Sequence, residues 1–180
     1  METLLANLTL PRRVLVVCAV ASAGLLAGAH AFERIGGLAP CLLCLDQREA
    51  HWAALGLGAV MLGFALAGAR RVVAAGLAAL ALVYVFSAGL AGYHAGVEWG
   101  FWPGPAACAA GAADLTGVTP GDLFGSLDEG GSPSCNEAAW RMLGISMAGW
   151  NALLSLALAG LAGGACVLFA RRMDGRAVTA

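Results

Sequence analysis

The sequence predicts an all-α membrane protein, a bundle of four transmembrane helices. The composition is the first indication, since 60% of the 180 residues are hydrophobic and 12% are charged, whereas about a quarter of a soluble domain is charged. The second is the presence of four apolar segments of roughly 17–25 residues, the length that crosses a bilayer. The third is the placement of arginines at the segment ends. The length fits a single domain covering residues 1–180, and the net charge of -1, with no basic stripe, gives no support for nucleic-acid binding.

The predicted spans cover about residues 14–32, 50–69, 72–92 and 145–170. All ten basic residues are arginine, and seven of them flank the spans on one side. These are Arg12, Arg13, Arg70, Arg71, Arg171, Arg172 and Arg176. Because basic residues concentrate in cytoplasmic loops, both termini are expected inside and the loops of about residues 33–49 and 93–144 outside. Within the longer loop, the polar and turn-rich stretch from Asp114 to Ser134 is expected to be irregular.

The first span has a second interpretation. Arg12 and Arg13, the apolar run and then Ala29-His30-Ala31 also resemble a signal peptide with a small-residue cleavage site. The apolar run is longer than a usual signal core, which favours an uncleaved helix. Both later loops remain outside in either case.

Small residues recur at the spacing that lets transmembrane helices approach closely. Gly24 with Gly28, and Gly160 with Gly164, have this spacing. They are predicted to lie at helix contacts, although the pattern is weak in a chain with 26 glycines.

The six cysteines divide between the spans and the outer loops. Cys18 and Cys166 lie within the first and fourth spans, where a free cysteine acts as a small hydrophobe. The remaining four are Cys41, Cys44, Cys108 and Cys135. Outside the cytosol, cysteines favour disulfides. The residues alone leave open two structural disulfides, a four-cysteine zinc site or two redox-active pairs.

The spacing of Cys41 and Cys44 favours redox chemistry for that pair. A disulfide between residues three apart closes a tiny loop and restrains the chain little, whereas thiol pKa values are lowered in CxxC pairs. Asp46 and Glu49 have capping-box spacing, so the second helix is expected to begin near Asp46, with Cys44 just before its N-terminus. Arg48 is either a fixed positive charge beside Cys44 or a side chain that reaches from the span to water.

Cys108 and Cys135 are separated by a long stretch of loop. That separation fits a structural bridge. It also fits a disulfide on a flexible arm that moves between partners.

Several stretches of the outer loops form a specific constellation. They are Pro40-Cys41-Leu42-Leu43-Cys44 with Gln47-Arg48; Tyr93-His94-Ala95-Gly96-Val97-Glu98-Trp99-Gly100; Gly104-Pro105 leading to Cys108; Pro133-Ser134-Cys135 with Trp140; and Gly144-Ile145-Ser146-Met147-Ala148-Gly149-Trp150-Asn151. On these stretches the chain resembles the DsbB family of disulfide-bond formation proteins. The resemblance covers about residues 32–155, and the four-helix layout extends it to nearly the whole chain.

The resemblance implies an enzyme, a quinone-dependent thiol oxidase of the bacterial inner membrane that reoxidises a soluble periplasmic thioredoxin-like oxidase of the DsbA type. Cys108 and Cys135 would accept electrons from that partner, and Cys41 and Cys44 would pass them to ubiquinone or menaquinone. The resemblance also places Arg48 beside the quinone and His94 near the same site. Without it, His94 would be interpreted as an interfacial histidine that only hydrogen-bonds.

Other functions compete with this interpretation. The chain could be a DsbB paralogue that serves a different periplasmic dithiol. The four outer cysteines could instead bind a metal in a sensor or transporter, although no further ligand of matched spacing accompanies the second pair, and no metal is expected. A structural membrane protein with disulfide-stapled loops is the third alternative.

Overall fold

Four long helices and one short hairpin make up the computed structural model, which describes residues 9–105, 108 and 134–177. The helices are α1 (Thr9–Arg34), α2 (Leu42–Leu66), α3 (Arg70–Glu98) and α4 (Met147–Ala177). Strands β1 (Arg141–Met142) and β2 (Ile145–Ser146) pair antiparallel just before α4. The stretch expected to be irregular lies outside the described residues, apart from Ser134.

Each of the four helices is long and apolar enough to cross a membrane, with mean hydropathy between 1.4 and 2.2 in its most apolar part. Large apolar side chains such as Val20, Leu82, Phe86 and Leu156 point out of the bundle and stay exposed. Such an apolar exterior suits contact with lipid rather than water. The predicted four-helix membrane bundle is therefore confirmed, and the helices extend beyond most of the predicted span ends.

The bundle core contains many small residues. Ala65, Ala91 and Ala162 are fully buried, and a Cβ added at Gly76 would lie 2.0 Å from the Met61 sulfur. These residues let the helices pack closely and leave room for larger core side chains such as Met61.

The glycine pairs singled out from spacing do not have that packing role. A Cβ at Gly24, Gly28, Gly160 or Gly164 would meet nothing within 4 Å outside its own helix. The prediction was wrong because spacing does not report which face of a helix meets its neighbour. Gly24 and Gly28 instead line a cavity.

The start of α2 also differs from the prediction. The helix begins at Leu42 rather than near Asp46, and Cys41 is its N-cap. The Cys41 sulfur accepts a hydrogen bond from the Cys44 backbone N–H at 3.3 Å, and the Cys41 carbonyl accepts one from Leu45 N–H at 3.1 Å. A sulfur thus takes the place that sequence rules give to an oxygen side chain, and Cys44 lies inside the first turn.

Several arginines gather at one end of the bundle. Arg12 of α1 donates to the carbonyl of Ala65 near the end of α2, at 2.7 Å. The Arg70 guanidinium lies 5.8 Å from the centre of the Phe169 ring of α4. These contacts join α1 to α2 and α3 to α4 on the side predicted to be cytoplasmic, while Cys41, Cys44, Cys108 and Cys135 lie at the opposite end.

The hairpin before α4 was not predicted from sequence. Leu143 and Gly144 form its turn with φ values of 53° and 79°, the left-handed region that glycine adopts freely. The Trp150 indole N–H donates to the Met142 carbonyl at 3.2 Å and fixes the hairpin on the start of α4. Strands of two residues are too short to show a period-2 pattern, so only Gly144 carried a sequence indication of the turn.

Candidate redox site

The four outer cysteines meet at one end of the bundle. Cys108 and Cys135 form a disulfide, with their Cα atoms 5.5 Å apart. Cys41 and Cys44 are both free, and their sulfur atoms lie 2.8 Å apart. Cys41 packs with Cys108 and Cys135 in one buried cluster. The structure therefore brings the two predicted pairs into contact.

Two tight backbone approaches position the segment that carries Cys108. A Cβ at Gly96 would lie 2.1 Å from the Trp102 ring, so the absence of a side chain there lets Trp102 pack on α3. A Cβ at Gly104 would lie 3.2 Å from Val97 and 3.6 Å from the Cβ of Cys108. These glycines allow the chain leaving α3 to fold back over the helix end, beside Cys41.

His94 of α3 lies between the two pairs. Its Nε2 is 3.6 Å from the Cys41 sulfur and 3.7 Å from a carboxylate oxygen of Glu98. The ligand atoms of Cys41, His94 and Cys135 all lie within 4.8 Å of one another. His94 is thus a direct neighbour of the sulfur atoms, a contact that sequence reasoning did not assign.

The environment of Cys41 favours its neutral thiol. A hydrogen bond with the Cys44 sulfur, followed in size by burial, raises the pKa of the Cys41 thiol. Either sulfur can be the donor in this contact, and the raised pKa of Cys41 favours keeping the proton on the Cys41 sulfur. Negative charge on Cys44 in the first turn of α2 is favoured by the helix dipole.

A cavity of about 370 Å³ adjoins the first pair, within the usual range of roughly 300–1,000 Å³ for small-molecule sites. It lies between α1, α2 and α4 and is lined largely by apolar side chains, with Trp140 and Trp150 at one side. Cys44, Arg48 and His94 are among its lining residues. A flat, mostly apolar ring therefore has room beside the Cys44 sulfur.

Arg48 is held at the edge of this cavity by two contacts. Its guanidinium forms an ion pair with Glu33 and donates to the Ala29 carbonyl at 3.2 Å, both on α1. The side chain is 13% exposed. Arg48 is therefore oriented by α1 rather than extended into water, as the alternative interpretation would require.

A buried hydrogen-bond network extends from His94 into the bundle. The Gln47 amide nitrogen contacts the Leu43 carbonyl at 3.0 Å and His94 Nδ1 at 2.8 Å. The Asn151 amide nitrogen donates to the Gln47 amide oxygen at 2.8 Å. Through these bonds His94, Gln47 and Asn151 join α3, α2 and α4.

The same network continues to α1. His51 Nε2 lies 2.8 Å from the Asn151 amide oxygen, which also accepts from Ser155 at 3.2 Å. His51 Nδ1 lies 3.3 Å from the Ser22 hydroxyl, and Ser22 contacts Tyr84 at 2.8 Å. Sequence reasoning missed this network. The only indication was the presence of polar residues inside apolar spans, which are rare there and usually paired.

Comparison with known proteins places the chain in a family. The family model for disulfide bond formation protein DsbB matches residues 11–165. The chain belongs to the DsbB family. A Disulfide bond formation protein B of Polaromonas sp. (strain JS666 / ATCC BAA-500) is 32% identical over 151 residues, covering 83% of this chain and 87% of the relative.

Further relatives agree. A Disulfide bond formation protein B of Stutzerimonas stutzeri (strain A1501) is 32% identical over 149 residues, covering 82% of this chain and 89% of that protein. One from Albidiferax ferrireducens is 30% identical over 167 residues. No solved structure matches the chain. The chain is thus a multi-pass membrane protein of the DsbB family, which confirms the resemblance and implies disulfide oxidoreductase activity.

Proposed function

We propose that this DsbB-family protein is a quinone-coupled oxidase of the bacterial inner membrane that reoxidises a soluble periplasmic thioredoxin-like dithiol oxidase of the DsbA type. The observation that carries the proposal is the meeting of both cysteine pairs beside one cavity. The sulfur atoms of Cys41 and Cys135 lie within 4.8 Å of each other, and Cys44 and Arg48 line the cavity.

The first stage oxidises the partner. A thiolate of the reduced partner attacks the Cys108–Cys135 disulfide and forms a mixed disulfide, releasing one of these cysteines as a thiolate. The second partner thiolate then attacks the mixed disulfide. The partner leaves oxidised, and Cys108 and Cys135 are left as a dithiol that holds its two electrons.

The second stage moves the electrons between the pairs. The Cys135 thiolate attacks the Cys41 sulfur of a Cys41–Cys44 disulfide, and Cys44 leaves as a thiolate. The Cys108 thiolate then attacks Cys135, re-forming that disulfide and releasing Cys41 as a thiolate. The short separation of Cys41 and Cys135 supports this route, because thiol exchange needs contact between sulfurs.

The final stage returns Cys41 and Cys44 to a disulfide. A quinone supplies the acceptor for two electrons and two protons when it is bound. The cavity residues fit such a ring, since the walls are mostly apolar and Arg48 stands at the edge. With a quinone bound, the Arg48 guanidinium would offer N–H donors and positive charge to it, and His94 lines the same cavity.

The proposed topology agrees with this chemistry. With seven arginines facing the cytoplasm, both termini are inside and both cysteine pairs are outside. The pair nearer the bilayer then reaches a lipid-soluble ubiquinone or menaquinone. The pair in the longer loop then lies on the same side of the membrane as a soluble periplasmic partner.

The decisive experiment mixes purified protein anaerobically with a reduced DsbA-type partner and a short-chain ubiquinone analogue, and follows quinone absorbance. We expect one quinone to be reduced for each partner dithiol, that is for every two partner thiols, that is oxidised. Cys44→Ser should abolish it, whereas Cys166→Ser, a matched change on α4, should retain it. Retained turnover in Cys44→Ser would refute the proposal, and activity only with another periplasmic dithiol would identify a paralogue with a different partner.

A metal site is the second candidate, because Cys41, His94 and Cys135 could each offer one ligand atom. Against it, Cys135 is bonded to Cys108 and is a free thiolate only after reduction. Metal analysis of the purified reduced protein separates the two functions. One zinc bound tightly per chain, together with no quinone reduction, would favour the metal site.

A further inference from the structure

One backbone group fixes which groups donate and which accept along the buried hydrogen-bond network. The Leu43 carbonyl is an acceptor only, so the Gln47 group 3.0 Å from it must be the amide nitrogen. The opposite orientation would place two oxygens against each other with no hydrogen between them. Gln47 therefore turns its second N–H toward His94 Nδ1, at 2.8 Å.

This orientation decides the state of His94. Because Nδ1 accepts a hydrogen bond from Gln47, it carries no proton, and the neutral ring has its proton on Nε2. Nε2 is the atom 3.6 Å from the Cys41 sulfur. A Glu98 carboxylate oxygen lies 3.7 Å from the same atom, so a protonated Nε2 has two acceptors within reach, of which the Cys41 sulfur is the nearer, and it is not free to bind a metal.

The remaining hydrogen bonds of the network agree with this orientation of the Gln47 amide. Its amide oxygen then faces Asn151, which donates to it at 2.8 Å. The Asn151 oxygen is left to accept from His51 Nε2 at 2.8 Å, so His51 also carries its proton on Nε2. Gln47, His51 and His94 are all more than nine-tenths buried, which makes an unpaired alternative unfavourable.

We propose that Gln47, held by Asn151 and His51, is a positioning residue that fixes His94 in the Nε2–H form and so provides a hydrogen-bond donor to Cys41 when it leaves as a thiolate. The inference rests on the proposed exchange in which Cys108 re-forms its bond to Cys135 and releases Cys41. No proton moves in that step. The donor from His94 stabilises charge on the leaving sulfur, and a better-stabilised thiolate leaves faster.

Other charges face this site from the elements packed around it. They are Cys44 and Arg48 on α2, Glu98 on α3 and Arg141 on β1, with Glu33 and His30 of α1 behind Arg48. The test therefore keeps all of these groups except Cys44, whose thiol would confuse the titration of Cys41.

The first measurement needs no quinone and no partner. Nitrogen NMR of histidine-labelled protein in detergent distinguishes the two neutral ring forms, and single His→Gln variants assign the three histidines. We expect both His51 and His94 in the Nε2–H form. Gln47→Glu, which offers only acceptors when ionised, should move the His94 proton to Nδ1 or add one there. His94 found with its proton on Nδ1 in the unaltered protein would overturn the inference.

The second measurement follows the charge on Cys41. In protein with Cys44, Cys108 and Cys135 changed to Ser, the pH dependence of Cys41 alkylation gives its thiol pKa. Gln47→Met should raise that midpoint by about one pH unit. Alkylation at a pH below the midpoint should then be roughly tenfold slower. His94→Phe should raise the midpoint at least as much.

Cys166→Ala is the matched control, because it removes an interhelical hydrogen bond, to the Ala74 carbonyl at 3.3 Å, from a side chain that is not part of the network leading to His94. It should leave the midpoint unchanged. A shift in His94→Phe without one in Gln47→Met would refute the positioning role of Gln47. Failure of the proposed quinone activity would leave both measurements unaffected, so the two proposals are tested separately.

Discussion

The loss of Arg48 provides the sharpest test of the proposed quinone site in the cavity. Arg48 lines the cavity and is oriented by Glu33 and the Ala29 carbonyl, leaving other guanidinium N–H groups for a ligand. One charge-assisted hydrogen bond contributes about 1.5–3 kcal/mol. Since about 1.4 kcal/mol corresponds to a factor of ten, Arg48→Ala should lower turnover or apparent quinone affinity by roughly one to two decades.

The conservative variants separate charge from geometry. Arg48→Lys should recover only part of the loss, because an ammonium lacks the planar fork that bridges two acceptors. Glu33→Ala should weaken apparent quinone affinity much less than Arg48→Ala, since a partly exposed ion pair contributes little. Glu33→Gln, which keeps an acceptor for the guanidinium, should behave nearly like the unaltered protein.

The assay is the quinone-concentration dependence of turnover at equal amounts of folded protein. Arg34→Ala is the matched control, because it removes the same charge from an exposed position next to Glu33 that does not line the cavity. Unchanged turnover and unchanged apparent affinity in Arg48→Ala would remove Arg48 from the site. Full activity in Arg48→Lys would indicate that the charge alone matters.

Three further predictions concern topology, division of labour and pH. A membrane-impermeant thiol reagent applied to reduced intact cells should label Cys135 and spare Cys166, and labelling confined to broken cells would contradict the topology. With Cys108 and Cys135 both changed to Ser, partner oxidation should stop while a small dithiol still reduces quinone; loss of both activities would refute separate roles for the pairs. Because its bond to Cys44 and its burial raise the pKa of Cys41, the reduced protein should lose stability as pH rises above the ordinary thiol pKa of about 8.5, since the unfolded chain releases that proton first. Thermal unfolding measured against pH should show this slope, and Cys41→Ser should remove part of it.

The four helices and the grouping of arginines could be predicted from the sequence, because hydropathy and charge can be read from neighbouring residues along the chain. Sequence reasoning misplaced the start of α2, since the capping rules describe oxygen side chains and here the Cys41 sulfur accepts the bond from Cys44 N–H at 3.3 Å. It also assigned Gly24 and Gly28 to helix contacts that they do not make. Both errors concern which atoms meet, and spacing alone does not contain that information.

The candidate redox site shows the same limit more clearly. Cys41 and Cys44 could be recognised because their chemistry depends on three-residue spacing, whereas the partners of His94 come from distant helices. Gln47 lies 47 residues from His94, and Asn151 lies 104 residues from Gln47. Asn151 is a polar residue in an apolar span, which sequence reasoning takes for a bond between helices, whereas Gln47 belongs to the stretch predicted as an outer loop. The bond between helices is present, but one carbonyl, that of Leu43, orients the whole series. A group that sequence reasoning would ignore therefore determines which nitrogen of His94 faces Cys41.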